Sequence, residues 1–261
     1  MQFGMPTLIE TKGPEECAAL CRELGLDFIE LNMNLPQYQI DNLDTTKLLK
    51  TAADAGIYYT IHLDENFNVC DFNRQIADAY LRTALQTIAL ARELAAPIIN
   101  MHLSKGVYFT MPDRRIYLFN EYMDIYLDGL CAFRDRADKL IVGSGMRICV
   151  ENAGGYDMDF LQKGLSLLLE SPAFGLTYDW GHDHSVCGCD EKIIMQHEHR
   201  LCHMHAHDAV GRKNHLVLGT GEIDLDKCFK LAAKHDCRVV LETKTVEGLK
   251  QSVGYIDRFV R

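Results

Sequence analysis

The sequence predicts the α/β class and, within it, a single (β/α)8 (TIM) barrel. Three observations point there. The chain has 261 residues, the usual length of one such barrel. Short apolar runs alternate with longer amphipathic ones from end to end. No linker, repeat or low-complexity segment interrupts that alternation, so residues 1–261 are expected to form one domain. An open, doubly wound sheet is the alternative architecture.

The strands are expected at 3–9, 28–31, 58–63, 98–103, 147–150, 175–178, 201–204 and 239–241. These runs are β-branched or aromatic and only weakly alternating, the pattern of strands buried on both faces. Helical patterns fill the gaps. Pro14 opens the first and Gly25 closes it. A second spans 45–55 and stops at Gly56, and a third spans 74–95. The longest covers 113–140, with apolar residues at helical spacing. Further patterns cover 160–169, 224–234 and 245–259, with a short, weak one at 190–197. Eight strands, each followed by a helix or a helix-sized gap, connect right-handedly and favour closure.

Composition narrows the function classes. Apolar residues make up 48% and charged residues 25%, as in an ordinary globular protein. Lys plus Arg is 27 against 37 Asp plus Glu, a net charge of −10, which argues against a nucleic-acid partner and for a small ligand. No run of 18 apolar residues marks a membrane span. The start, MQFGMPTLIE, has no cationic region before an apolar run, so no signal peptide is expected. Ten cysteines read as thiols of a reducing compartment, with Cys17, Cys21, Cys131 and Cys228 in helix-like patterns that suit core packing. A cytoplasmic location is therefore expected, and a homo-oligomer is left open.

The ends of the apolar runs carry the chemistry. Successive runs are followed by Glu30, His62, His102, Glu151, Asp179 with His182 a turn later, His205, and Glu242. In a parallel barrel these positions open into one mouth. A single strand-end His is more often hydrogen-bonded structure than ligand, and a single carboxylate more often a cap. Seven strand ends in succession change that balance. So many buried carboxylates are costly unless a cation compensates them. The mixed His and carboxylate set suits Zn, Mn, Fe or Co better than Ca or Mg. Glu30 is the weakest member of the set.

Other residues take lesser roles. His203 and His207 flank His205 at period 2, and His203 reads as core. His184, Cys187 and Cys189 read as a loop over the mouth, without zinc-ribbon spacing. Trp180 is a substrate wall or a packing residue. Arg114, Arg115 and Arg212 are the cations available to a phosphate, and no G-x-x-x-x-G-K-[ST] loop is present.

The runs ICVENAGG, TYDWGH, HMHAHD, HLVLGTGEID and VVLET, with Glu151, Asp179, His182, His205, Asp208, His215, Glu222 and Glu242, resemble the xylose isomerase-like barrels. That superfamily includes sugar and sugar-phosphate isomerases and epimerases and also endonuclease IV, and the resemblance spans essentially the whole chain. In the isomerase and epimerase branch it implies one Mn, Co or similar ion on Glu151, Asp179, His205 and Glu242. Glu151 and Glu242 would then be the catalytic pair that moves a proton beside a carbonyl. His182 would contact substrate oxygens, and Arg212 falls loosely where an epimerase-type substrate Arg stands. Against endonuclease IV, the matching ligands for three zinc ions are His62, His102, Glu151, Asp179, His182, His205, His215 and Glu242. One ligand departs: Lys213 stands where that family has Asp.

The resemblance therefore implies a metal-dependent isomerase or epimerase acting on a sugar, sugar phosphate or polyol through an enediolate, with one to three divalent ions (Zn, Mn or Co). The alternative is a zinc-dependent phosphodiester hydrolase on abasic DNA, favoured by the extra histidines and opposed by the acidic balance and Lys213. A binding protein that keeps the site without turnover is the third possibility.

Overall fold

The computed structural model describes residues 1–260, the side chains of 257–260 excepted. Its first half runs β1 (Gln2–Pro6), α1 (Pro14–Glu23), β2 (Phe28–Asn32), α2 (Thr45–Ala55), β3 (Tyr58–His62), α3 (Arg74–Glu93) and β4 (Ile98–His102). A hairpin follows, β5 (Tyr108–Thr110) and β6 (Arg115–Tyr117), then α4 (Leu118–Glu121) and α5 (Met123–Ile141). The second half runs β7 (Arg147–Glu151), α6 (Asp159–Leu169), β8 (Phe174–Asp179), α7 (Trp180–Ser185), α8 (Glu191–Gln196) and β9 (Leu201–Ala206). It ends with a second hairpin, β10 (Asp208–Val210) and β11 (Lys213–Leu216), then α9 (Leu225–Lys234), β12 (Arg238–Leu241) and α10 (Val246–Val260).

The large sheet closes in the order β1-β12-β9-β8-β7-β4-β3-β2, with every pairing parallel. This is the expected (β/α)8 barrel, and it carries all eight expected strands. Local signals act where the sequence places them. Asp44 caps α2 by accepting from the Lys47 amide at 3.0 Å. Gly56 ends the same helix at φ 70°, a left-handed conformation that glycine adopts without cost.

The expected helix at 113–140 is corrected by the structure. Residues 108–117 form a hairpin, and α5 begins only at Met123. Pro112 and Asp113 supply a turn, closed by the Met111 amide on the Arg114 carbonyl at 2.8 Å. Arg115 then lays its guanidinium over the Tyr108 ring at 4.7 Å, which holds the two short strands together.

The main core lies between barrel and helices, with Ile29, Ile99, Val150, Leu176, Met204 and Val239 buried on the outer faces of the strands. Inside, alternate residues meet across the lumen. Phe28 stacks on Tyr58 near the strand starts (centroids 5.2 Å apart). One layer higher, Glu30 takes hydrogen bonds from His203 at 2.8 Å and Thr60 at 3.1 Å, and Thr177 donates to Asn100 at 2.6 Å. This polar floor sits directly beneath the mouth.

Candidate functional site

Strand register sets the site. His102 is level with Glu151 on the neighbouring strand, and Asp179 is level with His205. His62 ends β3 and Glu242 follows the last residue of β12. The structure thus brings His62, His102, Glu151, Asp179, His182, His205, His215 and Glu242 to one place, whereas Glu30, also expected at the mouth, lies a layer below it with His203 and Thr60.

Glu151, Asp179, His205 and Glu242 each offer one ligand atom, all within 4.8 Å of one another and all buried or nearly so. His205 Nδ1 faces three carboxylates: Glu151 Oε1 at 3.1 Å, Glu242 Oε2 at 3.2 Å and Asp179 Oδ2 at 3.9 Å. Its Nε2 faces Glu30 Oε1 at 2.8 Å. Glu151 turns its second oxygen toward His62 Nε2 at 3.2 Å and His102 Nε2 at 3.0 Å, and takes a further bond from Asn100. His182 Nδ1 lies 3.5 Å from both Glu151 and Asp179. His215 Nδ1 lies 3.3 Å from the Glu242 carbonyl, with its ring against His207 at a centroid distance of 4.1 Å.

The electrostatics follow from burying several carboxylates together. Burial alone would raise the Glu151 and Glu242 carboxyls, but His205 beside both outweighs it and holds them well below the usual range. His205 responds in the opposite sense: burial would lower it, and Glu151, Glu30 and Glu242 lift it well above a free imidazole. His62 is likewise pulled down by burial and pushed up, chiefly by Glu151, to about 9. At His215 burial outweighs the upward pull of Glu242, and the imidazole is taken down to about 4. In the absence of a cation, protons on the histidines are what neutralise the carboxylates.

The donor set fits a divalent cation in that role. Glu242 Oε2, His102 Nε2 and His205 Nε2 are buried with no aligned hydrogen bond, despite neighbours at 2.8–3.2 Å. A buried polar atom without a partner calls for one. Glu242 Oε2 and His102 Nε2 face the carboxylate cluster, where an ion would supply it, whereas His205 Nε2 faces Glu30 and its Nδ1 faces the cluster. Nitrogen and carboxylate donors together suit Zn, Mn or Co. Other possible ligand groups among the described residues are Glu30, His203 and His205; His62, Glu151 and His205; His102, Glu151 and His182; and His182, His207 and His215.

Two expected substrate contacts stand apart. Trp180 is 1% exposed and sets its ring against Phe229, centroids 4.9 Å apart, so it packs α7 onto α9 instead of walling the mouth. Arg212 is exposed on the β10–β11 turn and lines a separate surface cleft with His184 and Glu222. Lys213, the departure from the endonuclease IV pattern, is exposed on β11. His184 pairs with Glu222 at 3.2 Å, and Cys187 and Cys189 are exposed thiols outside every potential ligand group among the described residues.

Three residues escaped the sequence reading: Asn100, which holds Glu151; Asn152, which brackets the Asp179 backbone at 2.7 and 2.9 Å; and Lys244, 2.7 Å from Glu242. His207, noted beside His205 without a role, holds Asp179. The alternation that places Glu242 at the mouth places Lys244 there too. Asp208, part of the HMHAHD run, is structural: its carboxylate collects the amides of Gly219, Gly221 and Ile223 and folds the loop after β11.

Comparison with known proteins agrees with the fold. The family model described as xylose isomerase-like TIM barrel matches residues 18–259. No curated protein matches the sequence significantly. Among solved structures, a D-tagatose 3-epimerase-like protein superposes with a TM-score of 0.81 at 18% identity, covering 100% of this chain and 97% of that one. The 3-keto-D-glucoside 4-epimerase of E. coli gives 0.77 at 12% identity, covering 99% of each chain. The IOLI protein with a bound zinc atom gives 0.73 at 13% identity, covering 100% and 96%. At such identities the likeness shows the fold alone.

Proposed function

Because the chain belongs to the xylose isomerase-like TIM barrel family, we propose that it is a metal-dependent isomerase or epimerase of a sugar, sugar phosphate or polyol. The observation that carries this reading is the meeting of two carboxylates, Glu151 and Glu242, on one imidazole, His205. They come from strands separated by β8 and β9, so the fold spends four elements to bring two like charges together. The epimerases among the similar folds, and the zinc atom in another of them, support the same reading.

Glu151, Asp179, His205 and Glu242 would hold the ion. When bound, a divalent cation supplies the positive charge that acidifies a carbon beside a carbonyl. The side chains do the rest. Glu151 is held by hydrogen bonds with Asn100, His62 and His205, whereas Glu242 has Oε1 on Lys244 and Oε2 without an aligned partner. Glu242 is therefore placed to take a proton from substrate, and Glu151 to return it on the other face or at the next carbon. His182, with 21% of its side chain exposed at the rim, is placed to bind a substrate hydroxyl. His102, Glu151 and His182 form a neighbouring group that would suit a second ion.

The test is solvent exchange. Protein loaded with Mn or Co is incubated with a panel of ketoses and aldoses in D2O, and deuterium at the carbon next to the carbonyl is read by NMR. Exchange is expected with at least one sugar, and Glu151→Gln should reduce it by about 10²- to 10⁴-fold. Three zinc ions per chain, cleavage of an abasic oligonucleotide and no exchange with any sugar would support the hydrolase reading instead.

A further inference from the structure

His207 lies just beyond β9 and is fully buried. The backbone N–H of His215 donates to its Nδ1 at 2.8 Å. A backbone amide nitrogen only donates, so Nδ1 presents a lone pair and the ring's single proton sits on Nε2. Nε2 lies 3.0 Å from Asp179 Oδ2 and donates to it. Both nitrogens are thereby committed. Although His207 belongs to a potential ligand group with His182 and His215, its ring has no lone pair left for a cation. Glu242 Oε2, at 3.9 Å, is beyond hydrogen-bond reach.

The surroundings are shaped to this ring. A Cβ on Gly181 would come within 2.0 Å of His207 Cε1 and 2.2 Å of Nδ1, so α7 passes the imidazole only because position 181 is glycine. His215 adopts φ 55°, a left-handed conformation unusual for a side-chain-bearing residue. Asp179, for its part, is almost fully constrained. Its Oδ1 accepts the His182 amide at 2.6 Å, and Asn152 brackets its backbone. The His182 amide fixes one carboxylate oxygen and His207 fixes the other, Oδ2.

We propose that His207 is a positioning residue: a neutral imidazole, protonated on Nε2, that orients Asp179 toward the cation site shared with Glu151, His205 and Glu242. The inference rests on the reading of those four residues as a metal centre. It also ties the β10–β11 hairpin to that centre, since the hairpin's own backbone sets the tautomer. Partners that orient metal-binding side chains typically change affinity 10- to 100-fold when removed.

Two measurements test it. The first is Mn²⁺ titration, followed by electron paramagnetic resonance, of wild type, Asp179→Asn, and His207→Ala, →Asn and →Gln. Loss of affinity by about 10- to 100-fold is expected for His207→Ala and His207→Asn. His207→Gln, whose amide nitrogen reaches about as far as Nε2, should stay within a few-fold of wild type. Equal losses for Asn and Gln, or wild-type affinity in His207→Ala while Asp179→Asn loses it, would overturn the inference and leave the metal centre standing. No Mn²⁺ binding by wild type would remove the metal centre and the inference with it. The second is the ¹⁵N spectrum of the metal-free protein, which needs no variant to fold. A neutral Nε2–H ring is expected for His207, and a proton on Nδ1 contradicts the assignment.

Discussion

At the residue scale, each functional side chain is defined by the neighbour that constrains it. Lys244 is the clearest case. Its ammonium lies 2.7 Å from Glu242 Oε1 and helps, after His205, to hold that carboxyl down. Lys244→Met should therefore raise the Glu242 pKa. The base would then be lost to protonation at a higher pH, and the acidic limb of the pH–rate profile should move upward. An unmoved limb would separate Lys244 from the chemistry. The strand-end pattern made Glu151, Asp179, His205 and Glu242 legible because each follows an apolar run. Lys244 and His207 were not legible, because each lies two residues past a residue already assigned, where sequence alone cannot say whether the strand's alternation continues. Glu30, the weakest member of the strand-end set, belongs to the floor beneath the mouth, and its partners His203 and Thr60, 173 and 30 residues away, gave the sequence no sign of that place.

At the element scale, the strands and most helices were legible from apolar periodicity and their end signals. Gly56→Ala tests one such signal. At φ 70° an added Cβ is disfavoured by about 1–2 kcal/mol, which should lower Tm by a few degrees. No change in Tm would mean that the α2 terminus relaxes freely. The helix expected across 113–140 shows where periodicity misleads. Ile116, Phe119 and Met123 recur at helical spacing, yet Pro112 and Asp113 make the chain turn. Arg115, Ile116 and Tyr117 then pair with Tyr108, Phe109 and Thr110. Apolar spacing there reflects two different surfaces, a hairpin and a helix, that happen to share a period. The hairpin leaves Val107, Tyr108, Phe109 and Met111 exposed on the loop after β4.

At the scale of the whole molecule, the barrel concentrates negative charge at one end and neutralises it with protons when no cation is present. None of the helices among the described residues is long and apolar enough to cross a membrane. The His62 folded-state pKa, about 9, lies above its ordinary value of 6.5. Its contribution to stability is thus complete below about 6.5 and lost as pH rises through about 9. Glu151 and Glu242, depressed from 4.5, contribute above about 4.5 and lose their contribution as pH falls toward their folded pKa values. The metal-free protein should therefore lose Tm between pH 6.5 and 9. Adding Mn²⁺ should restore more stability at pH 8 than at pH 6, since the ion displaces protons already leaving. A metal-induced gain that is larger at pH 6 would reverse that linkage. All these expectations descend from one arrangement: carboxylates and an imidazole from four strands converging on the proposed cation site. Anomalous diffraction from a crystal soaked in MnCl2 tests it most directly. The account predicts a manganese peak enclosed by Glu151, Asp179, His205 and Glu242. A mouth without a peak, in a crystal whose protein binds manganese elsewhere, would contradict it.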